Sequence, residues 1–66
     1  MLSTEDCSYA SSYLGYGHDN MVIARHVEPE QRDFWLRQTI EDMRIAAALL
    51  GFDLVPRAAE KLEAAE

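Results

Sequence analysis

Leu36, Ile40, Met43, Ala47 and Leu50 follow one another at alternating steps of four and three residues. That spacing places side chains on one face of an α-helix. The flanking residues agree. Pro29 suits a first helical position, where its missing N–H costs nothing, and Glu28 and Glu30 suit the positive end of a helix dipole. No further Gly or Pro occurs before Gly51. Gly51 is a C-terminal cap candidate, with Phe52 placed for the apolar contact that accompanies such caps. The pattern predicts a helix over about 29–50, and 22 residues make a rod of about 33 Å. A compact chain of 66 residues would be only about 28 Å across, so a round globule is not expected.

On a helical wheel that starts at Phe34, the residues Trp35, Leu36, Thr39, Ile40, Met43, Ala46, Ala47 and Leu50 span about 100–240°. Within this broad apolar face, Leu36, Ile40, Met43, Ala47 and Leu50 form the predicted core or oligomer seam. Asp33, Arg37, Glu41 and Arg44 make a solvated ladder of opposite charges at i+3 and i+4, worth about 0.2–0.5 kcal/mol per pair. Phe34, Ile45 and Leu49 belong to neither group and form a second apolar strip at about 0–60°. The first and last segments of the chain can cover the main face, which leaves this strip for another chain. Burying three such side chains is worth roughly 5–9 kcal/mol as an upper value, comparable to the whole stability of a small domain.

The remaining segments read less sharply. Ser3 with Glu5 and Asp6 is patterned as a helix N-terminus. Cys7, Ala10 and Leu14 would then share one face, and Tyr9, Tyr13 and Tyr16 another, with Gly15 as a cap. Four serines (Ser3, Ser8, Ser11, Ser12) weaken that helix, so residues 1–20 read either as a short N-terminal helix or as a flexible arm. "GYGHDN" (15–20) has loop composition. "MVIARHV" (21–27) reads as a short strand or as helical turns, and a lone two-stranded ribbon is barely stable. Asp53 and Pro56 can open a C-terminal helix over 54–64, with Val55, Ala59 and Leu62 as its apolar stripe. The fold class is therefore all-α: a small helical hairpin or bundle around one long helix, in a single domain over 1–66, completed by oligomerisation.

Size and charge narrow the function. A chain of this length buries only about 60% of its unfolded surface and needs support from a disulfide, a metal or a second chain. Cys7 is the only cysteine, so no internal disulfide exists, and a single thiol fits a reducing, cytoplasmic setting. The N-terminus carries acids where a signal peptide has bases, and no apolar run approaches the roughly 20 residues of a membrane span. Twelve acids against six bases give a net charge of −6, spread evenly along the chain. Nucleic acid and anionic membrane surfaces both favour clustered Lys and Arg, so neither is an expected partner.

Candidate chemistry is sparse. Cys7, His18 and His26, with Asp19 beside His18, match no metal-ligand spacing. Cys7 reads as an inert thiol, because nothing in the sequence brings either histidine to it. Glu28, Glu30, Asp33, Glu41 and Asp42 read as solvated acids, and no Gly-rich phosphate loop follows a strand. No enzyme, metal or cofactor is expected. The mixture "SYASSYLGYG" suits an adaptable recognition surface.

The expected function is that of a small, acidic, non-enzymatic protein–protein interaction module that occupies a partner surface, most simply as a homodimer. The partner is another protein chain, either a second copy or a different protein. Phe34, Ile45 and Leu49 carry the docking, with Trp35 at the edge of the core and Tyr9, Tyr13 and Tyr16 as a further stripe. One alternative is an inhibitor or regulator of the mobile-element type, in which the acids mimic nucleic acid and block a nucleic-acid-handling protein. Another is an antitoxin-like regulator, suggested by a helix ending in "LGFDLVPR".

Overall fold

A computed structural model describes residues 2–57. Two α-helices, α1 (Thr4–Ala24) and α2 (Pro29–Leu50), run antiparallel and pack side by side. The all-helical hairpin read from the sequence is present, and α2 has the bounds its pattern predicted.

Local chemistry sets each helix end. Ser3 Oγ accepts from the Asp6 amide at 3.0 Å, and the Asp6 carboxylate accepts from the Ser3 amide at 3.5 Å. This reciprocal capping box satisfies two amides that have no partner within the helix. A residue before proline is pushed out of the helical region. Glu28 accordingly sits at φ −62°, ψ 149° and α2 starts at Pro29, while α1 has already closed at its Arg25 cap. At the far end Gly51 adopts φ 90°, and the Phe52 amide donates to the Ala47 carbonyl at 2.8 Å while the Gly51 amide donates to Ala48 at 3.1 Å. Phe52 itself remains 72% exposed, so the apolar contact expected of it is largely unmade.

Three local expectations are corrected. Helix α1 is not short and does not stop at Gly15: its 21 residues continue through "GYGHDN" and into Met21–Ala24. The loop reading and the strand reading both fall. Packing against α2 outweighs the propensity penalty of this stretch, with Gly17 buried in the contact and Asn20 bonded across it to Asp42. The predicted C-terminal helix fares differently. Residues 54–57 have no helical structure, and the rest of that prediction lies outside the described residues.

Small side chains form the contact between the helices. Ala10, Gly17 and Ala24 recur every seven residues along α1 and are buried, as are Thr39 and Ala46 on α2. A Cβ at Gly17 would stand 3.7 Å from the Asp42 Cβ and 3.8 Å from the Thr39 carbonyl oxygen. Among the described residues no large side chain is fully buried. The molecule measures 40 × 30 × 13 Å. Its least dimension is close to the 10–12 Å diameter of one helix, so it is a slab one helix thick with two broad faces.

Polar contacts fix the register. Asn20 Nδ2 donates to Asp42 Oδ2 at 2.8 Å between half-buried side chains. Thr39 Oγ1 lies 3.4 Å from the Gly17 carbonyl and 3.0 Å from that of Trp35. Arg32 Nε donates to the Ala24 carbonyl at 3.0 Å. The last turn of α1 has no basic residue of its own, and Arg32 provides the positive charge from the neighbouring helix.

Candidate functional site: the two faces of the hairpin

The position of α1 decides which apolar residues of α2 are covered. Its seam on α2 runs through Trp35, Thr39, Asp42, Ala46 and Leu49, all buried or half-buried. On the wheel that seam centres near 100°, between the two strips read from the sequence. Ile45 and Leu49, expected to be uncovered, are half-buried, whereas Phe34 is 56% exposed. Ile40, Met43 and Leu50, expected in the core or an oligomer seam, are 47%, 41% and 44% exposed, so they are not core residues of the single chain. Leu36 and Ala47 are half-buried. The reason is steric. Two helices approach most closely where Ala, Gly and Thr face each other, which pushes the large side chains to the flanks.

Each broad face of the slab therefore carries its own set. The first face is aliphatic. Leu14, His18 and Met21 of α1 and Thr39 and Met43 of α2 line an open groove of about 310 Å³ with Gly17 at its floor. Beside it, Ile40, Met43 and Arg44 with Leu54, Val55 and Pro56 line a second groove of about 280 Å³. Met43 is common to both. By helical geometry Cys7, Leu36 and Leu50 share this face.

The opposite face is aromatic and acidic. Exposed Tyr9, Tyr16 and Ile23 flank the seam on α1, and Phe34 does so on α2. Tyr13 is half-buried and meets Tyr16 edge-on at 5.8 Å. Trp35, also half-buried, meets Phe34 edge-on at 5.2 Å. Glu5 accepts from the Tyr9 hydroxyl at 3.4 Å. The tyrosine stripe is thus contiguous, and Asp42 and Glu41 border it across the seam by helical position.

The charged ladder of α2 has one closed rung among the described residues, Asp33–Arg37 at 2.7 Å, and it is solvent-exposed. His18 and Asp19 approach to 3.4 Å with both side chains in solvent. Cys7 is exposed. Among the described residues no three His, Cys, Asp or Glu side chains converge on one point, and no helix is long and apolar enough to cross a membrane.

The arrangement defines a class by shape, a two-helix antiparallel hairpin with two uncovered faces. Comparisons with models of known families, with curated proteins and with solved structures found no match to this chain.

Proposed function

We propose that the protein is a non-enzymatic interaction module that works by docking its exposed apolar surface onto another protein chain. One observation carries this reading: among the described residues thirteen large apolar side chains are substantially exposed, while the buried positions are three alanines, a glycine and a threonine. Burial of a single such side chain is worth about 1.5–3 kcal/mol. A helical slab that leaves so many in water is short of stabilisation, and a second protein surface supplies it.

The test is retention of protein partners by the full chain at 0.15 M and 0.5 M salt, alongside its mass in solution. Apolar docking persists at the higher salt, because screening acts on charges and not on buried apolar area. A helical chain that stays monomeric at millimolar concentration and retains no protein at either salt overturns the reading.

A second reading, occupancy of a basic groove as an acidic inhibitor, is supported by the clearing of acids from one face. Glu5, Glu30 and Glu41 project away from the Leu14–Met43 side by helical position, so these exposed acids lie on the rest of the surface. This reading predicts binding that weakens sharply between 0.15 M and 0.5 M salt.

A further inference from the structure

We propose that the aliphatic face is where two copies of this chain meet, related by a two-fold axis, to form a four-helix bundle. The proposal deepens the interaction-module reading and rests on it. In a four-helix bundle every helix must face two neighbours, so each carries two adjacent seams with steps of four and three. Helix α2 has that layout in full, and α1 has it at every seventh residue. On α2 one seam (Trp35, Thr39, Asp42, Ala46, Leu49) is occupied by α1, and next to it runs Leu36, Ile40, Met43, Ala47, Leu50. On α1 the occupied seam contains Ala10, Gly17 and Ala24, and the adjacent positions are Cys7, Leu14 and Met21, seven apart.

Charge selects this face over the other. Two copies that each carry −6 repel, and like charges brought together across a two-fold axis oppose assembly. Helical positions put no acid among the aliphatic side chains themselves; Asp19 reaches the edge of the face through His18 at 3.4 Å, where Arg25, Arg32 and Arg44 are the other charged neighbours. Asp33, at the margin, is already paired with Arg37. The aromatic face would set Glu5, Glu41 and Asp42 of each copy against acidic surface of the other.

Area and shape agree. A face about 33 Å long and two helices, or about 20 Å, wide offers roughly 600 Å² per copy, which places the pair at the lower end of stable interfaces. The grooves of about 310 and 280 Å³ on either side of Met43 give this face concavities that side chains of a second copy can enter.

The experiment uses the full chain. Sedimentation equilibrium over a concentration series should show a mass twice 7.5 kDa. Isotope-filtered NOEs in a mixture of labelled and unlabelled chains should connect the Met21 and Met43 methyls to the other copy. Met43→Glu should weaken association at least tenfold, and Phe34→Glu should leave it within twofold. Should Met43→Glu fail to fold, the NOEs of the unsubstituted chain decide. Dimers whose intermolecular NOEs run through Phe34, Tyr9 and Tyr16 refute the choice of face and leave the module reading intact. A millimolar monomer refutes self-association, whether its Met43 methyl contacts residues of its own 58–66 segment or only water. In either monomer case the module reading stands or falls on retention of a different protein.

Discussion

Gly51 and Gly15 are both helix-associated glycines, yet substitution should act on them in opposite directions. At Gly51 the backbone has φ 90°, a left-handed conformation that costs an L-residue roughly 1–2 kcal/mol. Gly51→Ala should lower stability by about that amount. Gly15 lies within α1 with nothing within 4 Å of an added Cβ. Gly15→Ala should therefore stabilise by about 0.5–1 kcal/mol, the helix-interior difference between the two residues. Denaturant midpoints measure both, and equal signs would contradict the assignment of one to a cap and the other to a helix interior. Thr39 is the contrasting case, 6% exposed where the helices touch. Thr39→Leu forces extra methylenes into that contact and should cost about 1–3 kcal/mol.

At the scale of elements, the hairpin is held in register by side chains that reach from one helix to the other. Asn20 and Asp42 are 22 positions apart in the chain and meet at 2.8 Å, so they can form this bond only when the helices are correctly aligned. A double-mutant cycle on Asn20→Ala and Asp42→Ala should return a coupling of about 0.5–1.5 kcal/mol; additive effects would show that the pair does not set the register. Arg32 performs a related task at the turn, donating to the carbonyl end of α1. Arg32→Ala should lower stability by about 1–2 kcal/mol and raise amide exchange in the last turn of α1 before it does so elsewhere.

For the whole molecule, thickness is the governing quantity. A slab 13 Å thick has no interior in which a Leu or Phe can be surrounded, and domains ordinarily need two packed layers to bury a core. On the proposed two-copy bundle, stability depends on protein concentration through mass action. The thermal midpoint of the full chain should rise as concentration increases. It should hold or rise as salt increases from 0.05 to 0.5 M, since screening relieves repulsion between two copies of net charge −6. A midpoint that does not change over a hundredfold concentration range would count against self-association.

Elements whose causes are local can be read from the order of residues alone. Pro29, Gly51 and an uninterrupted helical period delimit α2, and Ser3 with Asp6 specifies the start of α1 because capping involves residues three apart. The all-helical class follows from the same signals. The extent of α1 was not legible, since "GYGHDN" is loop-like in isolation, and it is helical where Gly17 is buried and Asn20 is half-buried against α2. Nor was the choice of covered face. The wheel of α2 has apolar residues on about two-thirds of its circumference, and a single helix cannot indicate which third its neighbour will take. The packing of α1 against α2 settles it, with Ala10, Gly17 and Ala24 buried along the contact. Close approach of two backbones favours the smallest side chains, and the larger ones, Ile40, Met43 and Leu50 among them, are left outside.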